Sequence, residues 1–483
     1  MPETEASITV NFDRVIGDID PRIYGHFVEH LGACAYGGIW MPSGSSVKTL
    51  RGMRRDVLEI LRRIKPPIVR WPGGCFSEHY HWEDGIGPLN QRPWRFDWVW
   101  KKPEPNAVGT HEFMDFCKEV GCDPLTVVNV RTGTPQEAAA WVEYCNGPAS
   151  SRQGARRAAN RHAQPFGVKY WGVGNEAWDL GVEESAKRYV AFHDAMKAVD
   201  PGIRLVAIGS AGWNEEWNRK MIEIAGDKID YLAPHHYDGW GNPQMRTAAP
   251  QYYANMASAV RIADTIRLTA ALLDEMLPHR PEAGVCLDEW GIWTYGEQGV
   301  QHDYDLSDAL VAACVFNAML RHSRRVKMAC WAQLVNCLGL IQANEADAWP
   351  TAVCRAFELY VRHCTGQAVE TAVSCGTFDV DPALRPGLTG IPYLDVSATR
   401  DGGRYTLAVV NRHADREIKA SLILPGLPQS KRVEVETLNG PDMFTRNTAR
   451  EPERVSIGRQ ELDAVPGQYA FASHSVTVLS VSA

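Results

Sequence analysis

The chain has 483 residues, of which 45% are hydrophobic and 22% charged, and its formal net charge is -8. That length holds a large domain plus a smaller one, and the composition excludes a disordered or fibrous chain. The acidic balance argues against a nucleic-acid binder, since the most basic stretches, Arg51–Lys65 and Ser151–Arg161, are interrupted and read as solvated helix faces.

No apolar run reaches membrane-spanning length; even Val326–Ile341 contains Lys327, Gln333 and Asn336. The stretch Met1–Glu5 carries acids and no apolar core, so no secretory signal is visible. The 12 cysteines are scattered through apolar patterns and read as buried, reduced thiols. A cytoplasmic protein is expected.

In chain order, Ile8–Phe12 alternates like an edge strand, and Asp18–Arg22 forms a turn. Ile23–His30 is a strand ending in the polar cluster His26, Glu29 and His30. Val47–Ile64 has helical spacing, Pro67–Trp71 is the next strand, and a long aromatic loop runs from Cys75 to Lys102. A helix at Thr110–Val120 precedes the strand Leu125–Val130, and Thr134–Tyr144 is helical again. Lys169–Glu176 is a short apolar strand that passes through glycines and stops on an amide and a carboxylate, Asn175 and Glu176. Glu183–Val199 is a helix stopped by Asp200-Pro201-Gly202. Strands at Ile203–Ile208 and Ile229–Ala233 flank a helix at Glu215–Ile224. The helix Tyr252–Leu277 feeds the strand Gly284–Trp290, which ends on Asp288-Glu289-Trp290. Leu306–His322 is helical, and Lys327–Leu334 is the last strand of the series.

About eight strand-then-helix units follow Ile23, the number that closes a (β/α)8 TIM barrel. An open doubly wound sheet has the same alternation but binds nucleotides at a glycine-rich turn, and Gly172-Val173-Gly174 lacks a third glycine. The barrel is therefore preferred, over residues 21–378. From Asp379 the texture changes to period two, at Tyr393–Thr399, Arg404–Asn411, Glu417–Leu424, Arg432–Glu436 and Ser475–Val481. Residues 379–483 are read as a C-terminal antiparallel β-sandwich, with residues 1–20 adding a strand to it.

The polar strand ends are Glu29, Arg70, Asn175 with Glu176, His235 with Tyr237, and Glu289 with Trp290. Each alone has a dull explanation: a helix N-terminal charge, a neutralising arginine, a satisfied core histidine. Together they crowd one rim of a barrel whose strands are otherwise apolar, which stability does not require. Two strand-terminal glutamates make a facing carboxylate pair, the arrangement that glycoside hydrolysis needs. The rival reading is a metallohydrolase using His26, His30, His235, His236 and Asp288. The four-residue spacing of His26 and His30 suits a helix, yet here it straddles a strand end, so no metal site is expected.

These residues carry a resemblance. Tyr24-Gly25-His26-Phe27-Val28-Glu29-His30, Arg70-Trp71-Pro72-Gly73-Gly74, Trp82-Glu83-Asp84-Gly85-Ile86-Gly87-Pro88, Val142-Glu143-Tyr144-Cys145-Asn146, Gly174-Asn175-Glu176, His235-His236-Tyr237 and Asp288-Glu289-Trp290 resemble the motifs of intracellular α-L-arabinofuranosidases of glycoside hydrolase family fifty-one. The resemblance implies a (β/α)8 barrel with a C-terminal β-sandwich and a retaining exo-acting enzyme that needs no cofactor. Its substrates would be terminal α-L-arabinofuranosyl units of arabinose-containing oligosaccharides. By match, Glu176 is the general acid/base and Glu289 the nucleophile. Asn175 binds the sugar 2-hydroxyl, Tyr237 and Arg70 orient Glu289, and Glu29 holds outer hydroxyls. His235 and Cys75 line the sugar site, with Cys75 standing where some members have Asn. Trp100 and Trp293 flank the sugar or its leaving group. The resemblance also implies a homo-oligomer, a hexamer or trimer. A galactofuranosidase or an endo-glucanase would use the same two glutamates, and a non-catalytic carbohydrate-binding barrel would not need both.

Overall fold

The computed structural model describes residues 4–241, 246–293, 299–427 and 432–482; Met1–Glu3, from the acidic start of the chain, lie outside the described residues. Eight parallel strands close a barrel: Gly25–Phe27, Ile68–Trp71, Asp123–Val128, Tyr170–Val173, Arg204–Ala211, Tyr231–Tyr237, Gly284–Gly291 and Val326–Ala332. Each pairs with the next, and the eighth returns to the first through Cys330 opposite Gly25 and Trp331 opposite His26. Phe27, Ile68, Leu125, Tyr170, Val206, Tyr231, Cys286 and Met328 fill the interior. Arg22 closes the lower end over the Tyr170 ring, and Arg70 closes the upper end over the Phe27 ring, each at 4.6 Å. The barrel is thus a packed core whose polar groups are confined to its rim.

Local signals set the outer helices. Thr134 accepts from the Glu137 N–H and Pro135 opens the helix Pro135–Asn146, the preferred pairing of cap and first residue. Several expectations need correction. The first strand is only Gly25–Phe27, because Asp20 caps a short 3-10 turn over Pro21–Tyr24. A two-stranded hairpin precedes the helix Arg55–Ile64, and the long helix before the seventh strand is two, Ala249–Met256 and Ser258–Met276. The helix Ala352–His363 was not foreseen, although Arg355, Glu358 and Arg362 recur along it at helical spacing; barrel and sandwich both cover it, and the polar stripe is taken up in ion pairs with Glu453 and Glu436.

The second sheet has nine strands, in the order Ser456–Leu462, Val433–Asn439, Ser475–Ser482, Arg404–Asn411, Leu394–Asp401, Gln367–Cys375, Glu5–Asp18, Ile418–Ile423 and Gln468–Phe471. Glu5–Asp18 runs antiparallel to Gln367–Cys375 and parallel to Ile418–Ile423, the one parallel pair in the sheet among the described residues. Gln367–Cys375 lies before residue 379; its largely exposed second half hides the change of texture. The sheet curls into two facing layers. Phe12 meets the Tyr405 ring at 5.0 Å, and Leu407, Leu424, Val433, Val465 and Leu479 close round them. Among the described residues, no helix is long and apolar enough to cross a membrane.

Asn317, on the barrel helix Leu306–Arg321, ties the two domains. Its amide donates to Asp395 Oδ1 at 2.9 Å, and its carbonyl accepts from Tyr360 Oη at 2.8 Å and Ser397 Oγ at 2.5 Å. Asn317→Leu keeps the branched shape but strands buried hydroxyls, so calorimetry is expected to show a loss of about 1–3 kcal/mol with KM unchanged. A wild-type melting temperature would refute this tie.

Candidate active site

Two strand ends supply the central carboxylates. After the fourth strand, Gly174 takes φ +81°, and a Cβ there would meet Val130 Cγ2 at 2.3 Å. The glycine lets the chain turn sharply, and Glu176 follows at φ 41°, a left-handed conformation that a non-glycine residue holds only under constraint. Glu289 ends the apolar run of the seventh strand and is buried. Gly74 makes room opposite, since a Cβ there would stand 2.8 Å from Glu289 Oε2 and 3.3 Å from Asn175 Oδ1.

Arg70 organises these groups. Nη1 donates to Glu289 Oε2 at 2.9 Å, Nη2 donates to Asn175 Oδ1 at 2.7 Å, and Nε lies 3.1 Å from Asp288 Oδ2. Tyr237 Oη donates to the other oxygen of Glu289 at 2.8 Å. His235 lies between three carboxylates: Nδ1 is 2.9 Å from Glu176 Oε1 and 3.5 Å from Glu289 Oε2, and Nε2 is 3.0 Å from Asp288 Oδ1. Cys75 Sγ sits 3.8 Å from Glu176 Oε2 and 3.7 Å from Asn175 Nδ2. Glu29 accepts at Oε1 from the N–H groups of Gly74, Phe76 and the Trp100 indole at 3.0–3.3 Å, and at Oε2 from Gln333 Nε2 at 2.9 Å. Trp293 stands edge-on to Tyr237 at 5.4 Å and donates its indole N–H to the Gly299 carbonyl.

All ten residues read from the sequence therefore belong to one connected group. Trp94 and Trp98, in the same aromatic loop as Trp100, do not: each is 72% exposed, and Trp98 packs on Phe96 at the surface. Three members were missed. Asp288, read only as a metal ligand, instead joins Arg70 to His235. Gln333 ends the eighth strand and holds both the carboxylate and the backbone N–H of Glu29. The rule that found Glu29 would have found it. Glu78 accepts from the Asn175 N–H at 2.9 Å from a loop with no periodic signal.

Electrostatics divide the carboxyls. Burial alone would depress His235, but Glu289, Asp288 and Glu176 overcome it and raise it to about 10. Burial likewise pushes Asp288 up, yet Arg70 and His235 win and hold it below the usual carboxylate range. Burial raises Glu289, against the pull of His235, Arg70 and Tyr237. Glu29 and Glu78 are both raised by burial to about 7.

Among the described residues, Glu176, His235 and Glu289 offer ligand-type atoms within 4.8 Å of one another. The imidazole is a poor metal ligand here, because both of its nitrogens face carboxylate oxygens and so carry hydrogens. The other residues of the rival metal reading do not converge. His30 is held by Glu104 and by the Trp71 indole N–H, and His236 by Thr265.

The model of the "Alpha-L-arabinofuranosidase 1 domain" matches residues 60–257, and that of the "Alpha-L-arabinofuranosidase C-terminal domain" matches residues 288–475. The chain is 33% identical to alpha-L-arabinofuranosidase C of Emericella nidulans, covering 99% of this chain and 98% of the relative. It is 30% identical to an intracellular exo-alpha-(1->5)-L-arabinofuranosidase of Acetivibrio thermocellus, over 93% of each chain. The crystal structure of an alpha-L-arabinofuranosidase from Thermotoga maritima in complex with arabinose superposes with a TM-score of 0.90 at 36% identity, over 99% of this chain and 100% of that one. Barrel, sandwich and facing strand-end glutamates are those of a glycoside hydrolase. Within that class, the chain belongs to the α-L-arabinofuranosidases of family fifty-one.

His235 gives a test of the site's charge. Its folded pKa of about 10 lies above the ordinary 6.5, so the stability it confers is full below pH 6.5 and lost as pH rises toward 10. The melting-temperature gap between wild type and His235→Asn is expected to shrink across that window. A constant gap would exclude an imidazolium at this position.

Proposed function

We propose that the protein is a retaining, exo-acting α-L-arabinofuranosidase working by double displacement. The carrying observation is the close approach of the two glutamates, with carboxylate oxygens within 4.8 Å and different surroundings. Retaining enzymes keep their carboxyl groups about 5–5.5 Å apart, whereas inverting ones leave about 6.5–9.5 Å for a water. Glu289, fixed at both oxygens by Arg70 and Tyr237, suits attack on the anomeric carbon. Glu176, whose side chain is 22% exposed beside His235, suits exchange of a proton with the leaving group and with water.

In the first step a Glu289 oxygen bonds to the anomeric carbon, the glycosidic C–O bond breaks, and Glu176 protonates the departing oxygen. In the second, Glu176 takes a proton from water, whose oxygen displaces Glu289 and restores the starting configuration. Asn175, oriented by Arg70, is placed to hold the sugar 2-hydroxyl, and Glu29 with Gln333 to hold outer hydroxyls. Exo action on arabinose-containing oligosaccharides draws support from the Acetivibrio relative's name. A cytoplasmic setting is supported by twelve unpaired cysteines, nine of them buried. The homo-oligomer implied by the resemblance completes this reading.

Proton donation matters most for poor leaving groups. Glu176→Ala is expected to lose about 10²–10⁴-fold on natural oligosaccharides. On a dinitrophenyl furanoside it should show a burst and then stall, and azide should restore turnover as a glycosyl azide of retained configuration. Glu289→Ala should be slow on both substrates without a burst. Early NMR spectra of the wild-type reaction should show the α-anomer first. The β-anomer first, or azide rescue of Glu289→Ala with retention, would overturn the assignments.

Metal independence is a separate expectation, since acid/base and nucleophilic roles are both filled by side chains. Dialysis against EDTA should leave the rate unchanged. Activity lost on dialysis and regained with zinc or manganese would restore the metallohydrolase reading.

A further inference from the structure

Tyr237 reaches Glu289 from the end of the sixth strand, and the next residue is held from the other domain. Arg385 lies in the loop between the short paired segments Thr377–Phe378 and Ile391–Pro392. That loop is internally fixed: the N–H groups of Leu384 and Arg385 both bond the Asp381 carbonyl at 2.9 Å, and Val380 N bonds Leu388 O at 2.9 Å. The hairpin docks on the helix Ala249–Met256 through Phe378, whose ring lies 4.6 Å from Tyr253. From this base Arg385 enters the barrel rim and is buried there. Its Nη2 donates to Asp238 Oδ1 at 2.7 Å, to the Gly239 carbonyl, and to Ser258 Oγ at 3.2 Å.

Asp238 is itself buried and fixed. Its N–H donates to the Gly291 carbonyl at 3.2 Å, and Arg261 Nε stands 3.2 Å from its second oxygen, with His236 Nε2 at 3.9 Å. Gly291 is also the register partner of Tyr237, two residues beyond Glu289. The sixth and seventh strands are thus locked together where Tyr237 and Glu289 meet. Nε and Nη1 of Arg385 are buried with no protein partner among the described residues. An arginine half-satisfied in a buried place is a poor device for stability, since an apolar side chain would fill the space at lower cost.

We infer that Arg385 is a positioning residue for the reaction: through Asp238 it sets the end of the sixth strand so that the Tyr237 hydroxyl reaches Glu289. This rests on the reading of Glu289 as nucleophile. The Tyr237 hydrogen bond favours ionised Glu289, which is also faced by Arg70, His235 and Glu176 and, further off, by Glu29 and Cys75. Weakening that bond raises the pKa of Glu289 and moves the acid limb of kcat/KM to higher pH.

The test is a double-mutant cycle between Arg385→Ala and Tyr237→Phe, with pH profiles and melting temperatures for each protein. Arg385→Ala is expected to lose about 10–100-fold in kcat/KM, the scale of an ångström's misplacement, and to shift the acid limb upward. The same substitution on Tyr237→Phe should cost little more. Arg385→Lys should recover part of the rate, because one ammonium still reaches Asp238. Asp238→Asn, which keeps the size of the side chain, runs the same cycle if Arg385→Ala does not fold. Losses that multiply in the double variant, or an acid limb that stays in place, would overturn the inference. The cycle measures coupling between Arg385 and Tyr237 whatever Glu289 does. Wild-type rates in Glu289→Ala would instead sink the nucleophile reading and leave the coupling intact.

Discussion

A single guanidinium holds the barrel mouth together. Arg70 rises from the second strand, is wholly buried, and lies over the Phe27 ring of the first. From there it hydrogen-bonds the amide beyond the fourth strand and Glu289 of the seventh, and stands as an ion pair against Asp288. A charge taken so completely out of water is tolerable only when opposite charges and hydrogen bonds surround it. The acidic strand ends are therefore a requirement of Arg70 as much as it is of them. Lys would bring the charge but not the planar fork that reaches Asn175, Asp288 and Glu289 at once.

Around that fork the titratable groups fall into two kinds. Asp288 and His235 form a charged pair that stays charged across neutral pH, one held down and the other held up. Glu29, Glu78 and Glu289 are raised by burial and lie nearer to titration. The fixed pair supplies a constant field in which the others titrate, and perturbed carboxyls concentrated in one cleft mark a chemical site rather than a structural one. His235 contributes as a cation wedged between acids. Such a role cannot be read from the letter H after a strand, whose commonest meanings are a ligand or a neutral donor.

Strand ends were the legible part of the site because barrel geometry puts them on one rim whatever the loops do. That rule found Glu29, Arg70, Asn175, Glu176, His235, Tyr237 and Glu289 without contact information. Gln333 obeyed it too and was passed over, since the strand was read on to Leu334, which put Gln333 inside it rather than at its end. Glu78 and Arg385 were beyond reach. Each acts through a contact with a residue distant in sequence, Asn175 for one and Asp238 for the other, and neither has a periodic neighbourhood. In the fold, most helices with one wet face were read to within a few residues, but the helix read from Val47 starts only at Arg55, after a hairpin that carries no helical signal of its own. Ala352–His363 carries the same contrast, in Arg355, Glu358 and Arg362, but was passed over between the last barrel strand and the change of texture at Asp379.

The strand Glu5–Asp18 lies between Gln367–Cys375 and Ile418–Ile423 in the finished sheet. On a ribosome the order of events is the reverse of the order in space. This segment is made before the barrel, and its first partner follows roughly 350 residues later, about 20–70 s at 5–20 residues per second. Until then Ile8, Val10 and Phe12, all buried in the finished sheet, lack the strands that cover them, and an apolar segment without its partners is prone to pair with a neighbouring nascent chain. The nine-stranded sheet closes only when Glu5–Asp18 meets Gln367–Cys375 and Ile418–Ile423, so its assembly waits for the whole barrel to be made and is a step at which a chaperone has much to protect.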